Sequence, residues 1–189
     1  MPITSEAELL AAAAEAGHLL QQIQDYVGKE ATPFAQVRFP RGYLRTAEQI
    51  REQLEFLPRS AFKSNVSYAL MVCEVQSWLI ARTDLFGTAR EMVIKLRISL
   101  LGTIAESLTK VSLKGQCGGN YKRRTQFLVE QKIIGSDLQS ELDWLWDMRN
   151  LMHLFQVEEH EWLSEKYTVK NQHRAAAALE ALMLALRGV

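Results

Sequence analysis

Two cysteines, Cys73 and Cys117, are all that 189 residues carry. They are too few for a disulfide scaffold and belong to no closely spaced metal-binding pair, so a reduced, intracellular setting is expected. Charge of one sign is not in excess either. Lysine plus arginine number 22 and aspartate plus glutamate 22. No global field therefore gathers nucleic acid or acidic lipid, and any polyanion would have to be held by a local patch. Long apolar runs are missing, which excludes a membrane-spanning segment. The apolar stretch at 9–14 is hemmed by Glu6, Glu8 and Glu15 and lacks the basic leader and unbroken apolar core of a signal peptide. The chain is expected to be cytoplasmic and free of membrane.

Strand alternation hardly occurs, whereas helix starts are marked repeatedly. Ser5 with Glu8, Thr46 with Gln49, Thr88 with Glu91 and Ser136 with Gln139 each fit the capping-box spacing, in which two side chains satisfy the orphan amides of a first turn. Helices are predicted at 5–27, 46–57, 60–83, 88–113, 120–134, 136–157 and 169–187. The fold class is all-α, an up-down helical bundle, and the length suits one domain covering 1–189. The connection at 31–45 carries Pro33, Pro40 and Gly42 together with Phe34, Phe39 and Tyr43, and reads as an extended connection whose aromatics dock on the bundle, with a domain-joining arm as the alternative. The glycine-rich loop at 114–119 lacks the lysine and hydroxyl of a phosphate-binding loop and is read as a turn.

At about 100° per residue, Leu138, Leu142, Leu145, Arg149, Met152 and His153 share one helical stripe. A cation within an apolar face, one turn before a histidine, points to a partly enclosed anion site or to a carboxylate partner on another helix. The helix at 88–113 repeats the theme. Arg97 lies within its apolar face of Val93, Leu100, Leu101, Ile104, Leu108 and Val111, so the two arginines are expected to share an anionic ligand or to meet a buried carboxylate. The same wheel puts Glu106 on the opposite side, as a solvated or surface-paired group. Lys110, Lys114, Lys122, Arg123 and Arg124 cluster about the glycine loop with Tyr121, a patch able to neutralise a few phosphates or to serve as an ordinary solvated helix start. Trp144 and Trp146 flank the stripe at helical spacing and are expected in a core or subunit interface.

Metal chemistry finds little footing. His18 follows Glu15 in a single Glu-x-x-His unit where a di-iron bundle needs two, His160 stands in an acidic run, and His173 shares a polar wheel face with Glu180 and Arg187. No zinc motif or nucleophile elbow occurs, so neither a metal nor another cofactor is expected.

The run 128–135, then Leu142 to Trp146, then Arg149-Asn150-Leu151-Met152-His153, resembles the signature half of the HEPN superfamily, and the helix at 100–113 with Glu106 is similar to that family's first conserved helix. The resemblance spans 88–187 and implies a HEPN-like four-helix core there, with 1–87 as an N-terminal helical extension packed on it. It also implies a homodimer that brings two Arg-polar-His motifs into one cleft. Active members of the family are metal-independent ribonucleases, often in toxin–antitoxin, phage-defence or CRISPR-associated systems; others are noncatalytic modules. Carried onto this chain, Arg149, Asn150 and His153 match the family motif and become the catalytic set, Asn150 in a supporting role, and an antitoxin or nucleotidyltransferase becomes a possible partner; the chain's own cation pattern adds Arg97, Lys114, Lys122, Arg123 and Arg124 as expected RNA contacts. Three residues separate Arg149 from His153, a shorter step than the family usually shows, which still keeps both within about 40° on one helix face. The expected function is RNA cleavage without metal. The alternative is a noncatalytic module that binds RNA, a nucleotide or a protein, and a third reading has Arg149 and His153 simply tying helices together.

Overall fold

The computed structural model describes residues 2–58, 60–152 and 164–188, which form seven α-helices and two short 3-10 turns and contain no strand. They fall into two compact units, Met1–Arg41 and Gly42–Val189. In the first, α1 (Glu6–Val27) opens where the Ser5 hydroxyl accepts the Glu8 amide at 3.2 Å, while the Glu8 carboxylate accepts the Thr4 amide at 2.7 Å. Glu6 and Glu8 lie in its first turn, where acids complement the helix dipole. Chain direction changes at Gly28, whose φ of 60° suits a residue without Cβ. None of the α1 residues is buried, and Leu10 is 64% exposed. Phe34, in the same unit, is 91% exposed at a 3-10 turn. Tyr43, in the second unit, donates to Ser77 Oγ at 3.3 Å.

The second unit comprises α2 (Ala47–Gln53), α3 (Ala61–Arg82), α4 (Gly87–Ser112), α5 (Tyr121–Glu130), α6 (Ser136–Asn150) and α7 (Val169–Leu186). Thr46 and Gln49 form the reciprocal capping box, and Ser60, Asn120 and Thr168 each accept an amide from the first turn they precede. The Ser5 box forms only its hydroxyl half, and neither Thr88 nor Ser136 stands at an N-cap. α4 starts one residue early, at Gly87 with φ 58°, behind Phe86, which offers no capping hydrogen bond. Before α6 the cap is Gly135, and Gln139 Nε2 donates across to Gln126 Oε1 on α5 at 3.0 Å. α2 stops at Gln53, short of the expected end, because residues 54–57 leave the helix as turns that bring Leu54 and Leu57 into the core.

α4 is the axis of this unit and packs on α3, α5, α6 and α7. That position explains its burial pattern. Ile94, Ile98, Leu101, Ile104, Ala105 and Leu108 are buried, yet so are Lys95, Arg97, Ser99, Gly102 and Thr109 at other angles round the helix. Leu142 and Leu145 of α6 and Leu179 and Leu182 of α7 close the core against it. Each such leucine contributes roughly 1.5–3 kcal/mol relative to remaining exposed. The last turn of α5 ends in a Schellman motif: the Ile133 amide bonds the Leu128 carbonyl, the Lys132 amide bonds that of Val129, and Lys132 adopts φ 57°.

Candidate functional site

Gly102 on α4 is where the site is built. A Cβ there would lie 2.7 Å from Arg149 Cβ and 3.1 Å from the Leu145 carbonyl oxygen, so α6 crosses α4 at a distance only glycine allows. A mid-helix glycine costs about 1 kcal/mol of helix propensity. The close crossing uses that cost to lay the Arg149 side chain along α4. One turn beyond Gly102, Glu106 Oε2 then meets Arg149 Nη2 at 3.0 Å, and Arg149 Nη1 donates to Asn150 Oδ1 at 3.0 Å. Glu106, expected on the polar side as a solvated or surface-paired group, is thus paired, and its partner stands on α6. α4 is covered over more than half its circumference, and the wheel drawn from its largest apolar residues had the wrong centre. The ion pair is half-buried, with side-chain exposures of 32% for Arg149 and 29% for Glu106.

Beside Arg149 opens a cavity of about 430 Å³, lined by Gln76 of α3, Leu96, Ser99, Leu100 and Thr103 of α4, and Met152. Its walls are mainly aliphatic and its rim carries the guanidinium. α6 ends at Asn150, and Leu151 and Met152 continue as a turn. His153 lies outside the described residues, as does His160.

Arg97 takes no part in this cavity. Its guanidinium is buried, donating from Nε to the Cys73 carbonyl at 3.2 Å and from Nη1 to the Gln172 carbonyl at 3.2 Å and to Gln172 Oε1 at 3.0 Å. Burial lowers its pKa from the usual arginine value. It lines a different cavity of about 330 Å³ with Arg45, Glu74, Glu180 and Arg187 among others. The two arginines therefore do not converge on one ligand, and Arg97 is an interior strut from α4 to α3 and α7, not a surface contact for RNA. The reason is register: Arg97 stands one residue before Ile98, on the side that α3 and α7 both cover.

The basic cluster is likewise largely committed. Arg124 is buried, with Nε donating to Thr109 Oγ1 at 3.2 Å, Nη1 to the Gly119 carbonyl, and its plane 5.6 Å from the Tyr121 ring centre. It secures the glycine loop and presents no cationic surface, a second correction. Lys122 pairs with Asp147 at 3.0 Å and Arg123 with Glu130 at 3.1 Å, both in solvent, where such pairs are worth little and exchange readily. Lys114 is exposed. Trp146 stacks on Tyr121, ring centres 5.7 Å apart and planes within 6°, and Trp144 lies 3.9 Å beneath the guanidinium of Arg174, which Glu141 holds. Both indoles join α6 to its neighbours. His18 and His173 are exposed, and among the described residues no group of three or more His, Cys, Asp or Glu side chains is placed to hold a metal ion. Among them, too, no helix is long and apolar enough to cross a membrane.

Gly102, Glu106, Ser99 and Gln76 were not singled out by sequence reasoning as site residues. Gly102 alone left a trace, as the single glycine of a long apolar helix, the usual mark of a close helix approach. No family model, curated protein or solved structure matches the chain.

Proposed function

We propose that the chain is a metal-independent, HEPN-like endoribonuclease acting as a homodimer, in which Arg149 holds the scissile phosphate and His153 transfers protons. The observation that carries this reading is the Arg149–Glu106 ion pair across α6 and α4, fixed by the Gly102 crossing and bordering an open cavity. It joins two of the segments, 100–113 and 149–153, that carry the family resemblance. In metal-free ribonucleolysis the ribose 2'-hydroxyl attacks the adjacent phosphorus, negative charge grows on the phosphoryl oxygens, and a 5'-oxygen leaves. Arg149, tethered at Nη1 by Asn150 and at Nη2 by Glu106, meets that charge in a fixed orientation, the condition under which electrostatic stabilisation is most effective. His153 serves as general base for the 2'-hydroxyl or general acid for the leaving oxygen, a role worth about a hundred- to ten-thousand-fold in rate.

The test is cleavage of a mixed RNA substrate by purified protein in excess EDTA, with mapping of the termini. The expected result is 2',3'-cyclic or 3'-phosphate ends from wild type and none from His153→Ala or Arg149→Ala. Arg149 also ties α6 to α4, so its alanine variant is expected to lose about 1–2 kcal/mol of stability, and activity is compared at a temperature where both proteins are folded. Wild-type RNA binding without cleavage would replace this reading with a noncatalytic binding module. Absence of both, with Arg149→Ala merely less stable, would reduce the pair to a helix tie.

A further inference from the structure

Arg97 brings a positive charge into the core with no carboxylate to match it. The residue is 9% exposed, and among the described residues it forms no ion pair. Two backbone carbonyls and the Gln172 side-chain oxygen take up its Nε and Nη1. Nη2 is left over. It has no hydrogen-bond partner among the described residues, yet it is not sealed from solvent as Arg90 Nε is. A buried cation held by neutral groups alone keeps much of the cost of leaving water, and an anion that reaches it recovers part of that cost. Arg97 can be reached, because it lines the cavity of about 330 Å³ between α3, α4 and α7.

Charge and wall together select the anion. Arg45 and Glu74 neutralise each other, Arg45 Nε pairing with Glu74 Oε1 and the Arg45 amide donating to Oε2 at 2.8 Å. Arg187 Nη2 donates to the Gln53 carbonyl at 3.4 Å, a neutral partner, and Glu180 forms no ion pair among the described residues. Arg97 and Arg187 thus stand against Glu180, with a single positive charge in excess. A monoanion balances it, whereas a dianion such as phosphate overshoots beside two carboxylates. The remaining lining is aliphatic, from Leu70, Leu101, Ala176, Leu179, Met183 and Leu184. A carboxylate head on Arg97 Nη2 with an alkyl chain against these walls meets both conditions, and the volume stands at the lower end of small-ligand sites. We propose that this cavity binds a short-chain aliphatic monocarboxylate, with Arg97 as the anchoring cation. It shares no residue with the cavity beside Arg149 and does not depend on the nuclease reading.

The experiment is calorimetric titration of the full-length protein at neutral pH with hexanoate, acetate and inorganic phosphate, for wild type, Glu180→Gln, Arg187→Gln, Arg97→Lys and Arg149→Ala. Hexanoate is expected to bind wild type at one molecule per chain, at least about tenfold tighter than acetate because its chain covers the aliphatic walls. Arg97→Lys loses the guanidinium fork and is expected to weaken binding about tenfold. That position is interior, so its variant is read where circular dichroism shows it folded, and two exposed positions test the site without it. Glu180→Gln removes a like charge and is expected to tighten binding about three- to tenfold, while Arg187→Gln weakens it about threefold. Arg149→Ala is expected to bind as wild type does. No heat of binding at about 10 mM hexanoate overturns the proposal. So does an affinity indifferent to both Glu180→Gln and Arg187→Gln, which places the alkyl chain elsewhere, as on the exposed leucines of α1. Phosphate binding as tightly as hexanoate, or acetate as tightly, also overturns it, since the walls would then select nothing.

Discussion

Cys73 is 3% exposed on α3, and burial pushes its thiol from the ordinary value of 9.0 up to about 12, with the Arg97 guanidinium opposing and Glu74 adding to the rise. The folded protein therefore keeps a proton that the unfolded chain gives up above pH 9. Stability from this group is fully present below the unfolded value and falls as pH rises between 9.0 and about 12. Burial raises the Tyr121 phenol in the same sense. In melts from pH 8 to 12, wild type is expected to lose stability more steeply than Cys73→Ala, by up to about 1.4 kcal/mol per pH unit. A second residue-scale prediction concerns Lys132, whose left-handed φ of 57° carries a Cβ penalty of roughly 1 kcal/mol. Lys132→Gly is expected to raise the urea midpoint by a corresponding amount with no change in the slope, since the Schellman bonds use backbone alone. Neither position was singled out in the sequence: a cysteine does not disclose its burial, nor a lysine its dihedral.

Among elements, α4 and α6 hold the most consequential contact. Gly102→Ala would normally gain helix propensity of nearly 1 kcal/mol. Here the added methyl meets Arg149 Cβ at 2.7 Å and the Leu145 carbonyl oxygen at 3.1 Å, so one helix has to move. The expected outcome is a net loss of about 1–3 kcal/mol in urea unfolding and, on the proposed nuclease reading, a fall in RNA cleavage larger than that loss explains, because Arg149 is displaced from Glu106. A stable, fully active Gly102→Ala protein would show that the crossing does not set the arginine. Helix starts at Ser5, Thr46, Ser60, Asn120 and Thr168 obey local rules, since a cap needs only its own first turn. The helices predicted from Thr88 and Ser136 begin within a residue of those positions, but the caps proposed there do not form: Gly87 offered an earlier start, and the Gln139 side chain found Gln126 on another helix.

At the scale of the molecule, every residue of the buried core, from Ile50 to Leu186, belongs to the unit Gly42–Val189. A chain beginning at Gly42 is therefore expected to unfold cooperatively, with a melting temperature within a few degrees of the full-length protein, as followed by circular dichroism. A broad or absent transition would place part of the stabilisation in the first unit. Solvation also differs between the units: the leucines of α1 are exposed, whereas α4 is buried on most sides, although both are predicted as long helices from sequence.

By itself the sequence determined the helical class, the order of the elements, most of their starts, and the stripe that carries Arg149 between Leu145 and Met152. These follow from periodicity and capping, which act over one or two turns. Tertiary structure alone decided which arginine is interior and which stands at a cavity, that Glu106 faces Arg149, and that Arg124 closes a loop. A helical wheel records angle about one axis and holds nothing of the neighbours. With α3, α5, α6 and α7 all packed on α4, it is their placement that separates a partnered polar group from an orphaned one.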